Sequence, residues 1–77
     1  MSPHLEKLQQ LAVKRFGDRA ATLGPDQDLF DGLGIDSLQA LDLLSDLEGA
    51  FRIEIPDWEV QGVTTLRGLA EVVERRL

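Results

Sequence analysis

Gly34-Ile35-Asp36-Ser37-Leu38-Gln39-Ala40-Leu41-Asp42-Leu43-Leu44-Ser45-Asp46-Leu47 is the stretch on which the fold turns. Asp36 is a good helix N-cap, and Gln39, three residues on, completes a capping-box pattern. A helix therefore starts at Asp36 or Ser37, and its pattern runs to about Phe51. At about 100° per residue, Ala40, Leu43, Leu44, Leu47 and Phe51 share an arc of about 100°, wide enough for a core stripe. Leu38 and Leu41 fall outside that arc, on the flank that also carries Ser37, Asp42, Ser45 and Glu48. Asp46 lies away from this flank.

Two further helices frame this one. Upstream, Ser2 can cap and Pro3 suits the first helical position. Leu5, Leu8, Ala12 and Phe16 then recur at spacings of three and four, and Gly17 is a natural stop. Downstream, a helix starts at Thr64 or Thr65, with Leu66, Leu69, Ala70, Val73 and Leu77 on one face. Glu71 and Arg75 are spaced as a favourable i,i+4 pair. Between Pro56 and Val63, the run Asp57-Trp58-Glu59-Val60-Gln61 has room for one or two turns and reads as a short third helix. No strand signal competes, so the class is all-α.

Residues 17–35 form a connection of about twenty residues, longer than the 12–15 or so at which a loop in a compact domain is usually functional. Leu23, Leu29, Phe30, Leu33 and Ile35 are spaced to pack it onto the bundle. Phe30 and Leu33 are its expected main anchors, with a turn of helix at 27–31. Such an ordered crossover would hold the start of the next helix at the surface.

Composition bounds the function. Seventy-seven residues make one small domain, and 43% hydrophobic content supports a folded core. The chain has no cysteine to staple it or to bind a metal as thiolate. A net charge of −6 argues against nucleic acid as a ligand and toward basic protein partners. No apolar run approaches the roughly 20 residues of a membrane span, and the N-terminus lacks a signal-peptide core. The cytoplasm is the expected location.

Ser37 is the residue with the most suggestive setting. A serine in the first turn is often a cap, but Asp36 already fills that role. A nucleophilic serine would need a base, and the only histidine is His4, in an N-terminal turn expected to fray. That makes an attachment point the better reading. Asp26, Asp28, Asp31 and Gly32 suggest an EF-hand loop, but counting from Asp26 places Phe30 at position 5, Asp31 at position 6 and Ser37 at position 12, so the pattern fails. Trp58, the only tryptophan, is expected to be a core residue.

The run Asp28-Leu29-Phe30-Asp31-Gly32-Leu33-Gly34-Ile35-Asp36-Ser37-Leu38 resembles the signature of acyl carrier proteins and other phosphopantetheine-binding carriers. The likeness continues through Phe51-Arg52-Ile53-Glu54-Ile55-Pro56-Asp57 and Val63-Thr64-Thr65, covering most of the chain. It implies a four-helix bundle with three main helices, a short third helix and a long first loop. It also implies that Ser37 receives 4′-phosphopantetheine from coenzyme A, with the terminal thiol carrying acyl, aminoacyl or ketide groups as thioesters. The carrier itself would have no catalytic activity. Its expected partners are a phosphopantetheinyl transferase and the acyl- or aminoacyl-loading and processing enzymes of a biosynthetic pathway, with neither nucleic acid nor membrane bound. Asp36, Leu38, Leu41, Asp42 and Glu48 are the expected docking residues.

Departures from the family pattern bear on the pathway. Gln39 and Gly49 stand where fatty-acid carriers often have acidic residues, Ile35 replaces a smaller residue, and Trp58 is unusual. Ile35-Asp36 before the serine disfavours a peptidyl carrier. Specialised metabolism, polyketide synthesis included, thus fits as readily as fatty-acid synthesis. The expected unit is one monomeric carrier domain over 1–77, free-standing or part of a synthase. The alternative is an unmodified acidic helical module that binds a basic partner through Leu38 and Leu41 and does not need the serine.

Overall fold

The computed structural model describes residues 3–77, so the cap expected at Ser2 lies outside the described residues. Helix α1 (Pro3–Phe16) buries Leu5, Leu8 and Ala12, as its period requires. It ends at Gly17, whose N–H donates to the Val13 carbonyl at 2.8 Å. Phe16 is only partly buried, packed against the edge of the core.

The long connection is ordered along its length. A 3₁₀ turn (Asp18–Thr22) places Ala20 fully in the core. The Gln9 side-chain amide of α1 donates to the carbonyls of Ala20, Ala21 and Leu23 at 3.1–3.3 Å, stapling the connection to the helix. A short helix α2 (Leu29–Leu33) follows, two residues later than the turn expected at 27–31. The shift has a local cause: Asp28 Oδ1 accepts from the N–H groups of Phe30 and Asp31 and so sets the start. Leu23, Leu29 and Leu33 are the buried anchors. Phe30, expected as one of the two main anchors, is only half-buried. The connection is also tied to the last helix: Leu29 N–H donates to Thr64 O at 2.7 Å and Arg67 N–H to Pro25 O at 3.0 Å. The Arg67 guanidinium pairs with Asp26.

Helix α3 (Ser37–Phe51) buries Leu43, Leu44 and Leu47, with Ala40 and Phe51 at the margins of the stripe. Arg52 closes it in a left-handed conformation (φ 56°) with its N–H bonded to Glu48 O. The segment to the last helix holds a single 3₁₀ turn (Asp57–Glu59), shorter than the expected third helix. Trp58 does not join the core: it is 67% exposed, its ring lying 5.6 Å from the Arg76 guanidinium. Helix α4 (Leu66–Arg76) is capped by Thr65, whose hydroxyl accepts from Gly68 N–H at 3.0 Å. It buries Leu66, Leu69, Ala70, Val72 and Val73, whereas Leu77, just past its end, is exposed. The expected Glu71–Arg75 pair gives way to a tertiary one, Arg75 with Glu59 at 3.2 Å.

The architecture is an all-α bundle in which α1 packs against both α3 and α4. Its fourth α-helix is the short α2 within the long connection, not the turn before α4. No described helix is long and apolar enough to cross a membrane.

Two glycines test the packing in opposite directions. A Cβ added at Gly49, inside α3, would meet nothing within 4 Å. Gly49→Ala should therefore raise stability by about 0.5–1 kcal/mol through lower chain entropy. At Gly68 the added atom would lie 2.8 Å from Val63 Cγ1, so Gly68→Ala should cost about 1 kcal/mol or more. Urea unfolding of both variants checks the opposite signs.

Candidate functional site

Ser37 is the first residue of α3 and is exposed. What holds it there is local. Gly34 caps α2 in the left-handed region (φ 66°), where a side chain is disfavoured, and sends its N–H to Phe30 O. Two residues later Asp36 starts α3 with a complete capping box. Its Oδ1 accepts from Gln39 N–H at 2.9 Å, while Gln39 Oε1 accepts from Asp36 N–H at 3.0 Å. Asp36 and Gln39 thus do the capping, and the Ser37 hydroxyl makes no hydrogen bond to any described residue. The Ser37 and Leu38 N–H groups lie at the helix start without an intrahelical acceptor, where the helix dipole favours an anion.

Among the described residues, the one histidine lies far from this serine. His4 is not frayed: its Nδ1 lies 3.2 Å from Glu74 Oε1 and its ring meets Phe51 edge-on, centroids 5.9 Å apart. Phe51 is the last residue of α3, which at about 1.5 Å per residue puts it about 21 Å from Ser37. The acidic loop is likewise accounted for, since Asp28 caps α2 and Asp26 pairs with Arg67.

The flank of α3 next to Ser37 follows the helical wheel in part. Leu38 is 74% exposed and Leu41 45%, and the Asp42 side chain stands largely in solvent. Glu48 departs from expectation. It is half-buried, and its Oε2 accepts from Ile55 N–H at 2.8 Å, pinning the chain after α3. Its carboxylate has a structural task before any docking one. Asp46 lies on the side toward α1, as the wheel indicates, in a bidentate pair with Arg15. The hydrogen bond from Arg15 is the main cause of an Asp46 pKa below the ordinary carboxylate value, with burial opposing it. Arg15 also reaches to 3.9 Å of Asp42. Asp42 is nonetheless the more exposed of the flank's two acidic residues, since Glu48 is half-buried.

An apolar cavity of about 300 Å³ lies beside Ser37. The buried side chains of Leu43, Leu44 and Leu69 line it, together with the partly buried Phe30, Ile35 and Ala40. Val60 and Val63 line it from the segment between α3 and α4. Its exposed lining residues, Ser37, Leu41, Asp57 and Gln61, mark the mouth. The half-burial of Phe30 is explained here, since its ring lines this space instead of filling the core. A small residue, Ala40, three positions after the serine in the core arc was the one available signal.

The family model for the phosphopantetheine attachment site matches residues 6–73, from within α1 to the last turns of α4.

Proposed function

The chain belongs to the phosphopantetheine attachment site family and is a carrier of covalent 4′-phosphopantetheine; from that premise we propose that Ser37 is the attachment residue. The supporting observation is a surface serine whose hydroxyl is free at a helix start already capped by its neighbour. In the transfer, Ser37 Oγ forms a bond to the phosphorus that bears pantetheine, and the phosphoanhydride P–O bond of coenzyme A breaks, with adenosine 3′,5′-bisphosphate as the leaving group. The serine proton leaves to a base supplied by the transferase, since this chain offers none nearby. The first N–H groups of α3 would stabilise the phosphodiester anion there. Bound there, the group supplies a thiol at the end of a flexible arm, on which cargo rides as a thioester.

The carrier performs no chemistry on its cargo in this reading; it presents it, in the cytoplasm, to loading and processing enzymes. The apolar cavity at the foot of the arm favours acyl or ketide cargo over charged aminoacyl cargo, because burying an unpaired ammonium there would be costly. A methylene is comparable in size to a water molecule, at about 30 Å³, so the space has room for a chain of up to about ten carbons. The departures at Gln39, Gly49 and Trp58 fit specialised metabolism as readily as fatty-acid synthesis. Intact mass after incubation with coenzyme A and a transferase tests the assignment.

Recognition should follow the exposed flank. Asp42→Lys should slow modification by the transferase, with the defect shrinking at high salt as screening removes the attraction. Asp46→Lys should slow it less, since that carboxylate faces Arg15 and not the partner. Initial rates at two ionic strengths separate the variants. Equal defects would mean that overall negative charge matters and the Leu38/Leu41 flank does not.

A further inference from the structure

The segment between α3 and α4 lines part of the cavity and is held to α4 by side-chain contacts. Asp57, Val60, Gln61 and Val63 line the cavity from this segment. Its backbone hydrogen bonds close on themselves: Glu59 N–H to Pro56 O, Val60 N–H to Asp57 O, and Val63 N–H to Val60 O. Such bonds shape a turn but do not hold it against a helix. The polar tie to α4 comes from Glu59, whose carboxylate accepts from Arg75 at 3.2 Å and from Arg76 at 3.0 Å. Arg76 also lies over the Trp58 ring. The Glu59 side chain is only 14% exposed, so the pair is screened less than an ordinary surface contact. Burial works to raise the Glu59 pKa, but the two guanidinium groups outweigh it and hold the carboxyl below its ordinary value. The two ends of the segment differ. Ile55 is buried and bonded through its N–H to Glu48, while Gly62 adopts a positive φ of 77°.

We propose that Glu59, gripped by Arg75 and Arg76, clamps the Asp57–Glu59 turn over the cavity and thereby keeps an apolar cargo sequestered and its thioester away from water. Glu59 is a positioning residue, acting on the cargo through the wall that Val60 and Val63 present. The clamp rests on the reading that Ser37 bears the arm and that the cavity receives the cargo. Closing a site over a reactive group excludes water from it. A wall held by a few side-chain contacts is also the kind of element that opens locally at low cost. A partner enzyme could therefore reach the cargo by displacing one ion-pair cluster, leaving the core of α1, α3 and α4 intact.

The test uses the full chain, modified on Ser37 and charged with either octanoyl or acetyl groups. Hydroxylamine nitrogen attacks the thioester carbonyl and the C–S bond breaks, releasing hydroxamate and free thiol, which intact mass follows. In the wild type the octanoyl thioester should be cleaved more slowly than the acetyl one, which is too short to be held. Glu59→Ala, and separately the double change Arg75→Ala/Arg76→Ala, should speed octanoyl cleavage about five-fold while leaving acetyl cleavage unchanged. Glu59→Gln keeps an acceptor but loses the charge and should fall between, which covers the case of a poorly folded alanine variant. An unchanged octanoyl rate in the Glu59 variants overturns the clamp. So does a parallel rise for both cargoes, which would report general loosening. Equal rates for the two cargoes in the wild type would remove the cavity as a cargo site, and the clamp with it. Failure of the carrier assignment is distinct from all of these, because the wild type would then gain no mass at the modification step.

Discussion

Incubated with coenzyme A and a broad-specificity phosphopantetheinyl transferase, the wild-type protein should gain about 340 Da, and Ser37→Ala should gain nothing. The effect is all-or-none because the alanine removes the accepting oxygen. It should also leave the fold intact. The α3 cap consists of Asp36 and Gln39, each bonded to the other's N–H, and the serine hydroxyl takes no part. Circular dichroism and the unfolding midpoint of Ser37→Ala should match the wild type. The converse change, Asp36→Ala, should cost about 1 kcal/mol by removing the cap while leaving the hydroxyl in place. A wild type left unmodified under conditions that modify a control carrier would eliminate the attachment reading. It would favour the unmodified interaction module, which needs only the Leu38/Leu41 flank.

Leu47→Ala should be the most damaging change on α3, at roughly 2–5 kcal/mol. Leu47 is fully buried and Leu43 nearly so, both within the cluster shared with Leu8 of α1 and with Val72 and Val73 of α4. Truncation at Leu47 leaves a void among helices that cannot close independently. In a domain of this size the loss rivals the whole stability, so the variant should be largely unfolded at 37 °C. Leu44 lines the existing cavity, and its truncation enlarges a space already present, so it should cost less than Leu47→Ala. Leu38→Ala, at 74% exposure, should change stability by about 0.5 kcal/mol or less yet slow transferase modification. Urea denaturation gives the order Leu47, Leu44, Leu38. A Leu38→Ala variant as unstable as Leu47→Ala would place Leu38 in the core and remove the apolar centre of the proposed docking flank.

The readable parts of this structure were those whose signals are local. The box at Asp36 and Gln39 needs only a spacing of three, and the observed bonds match it. Leu38 and Leu41 were placed outside the core by the helical period alone, and their exposure agrees. The misread parts depend on partners distant in sequence. Arg75 had a suitable neighbour in Glu71, but Glu59 sits half-enclosed between two arginines and takes it instead. Glu48 looked like one more surface carboxylate until the chain after α3 turned back and brought Ile55 N–H to it. Trp58 was assigned to the core on its apolar area, yet a three-residue 3₁₀ turn cannot bury both its faces. Val60 faces the cavity and Trp58 is left over Arg76.

By itself the sequence determined the all-α class, the starts of α3 and α4, most of the core faces of the three long helices, and the singling out of Ser37. Caps and a 3.6-residue period act within one or two turns, so they are written in adjacent residues. Only the tertiary structure decided which of Leu29 and Phe30 enters the core, which arginines hold Glu59, and that a cavity opens beside the serine. Those outcomes depend on where α2 and the Asp57–Glu59 turn come to rest against α3 and α4. A void is a property of side chains failing to fill the space between elements, and no single segment carries that information.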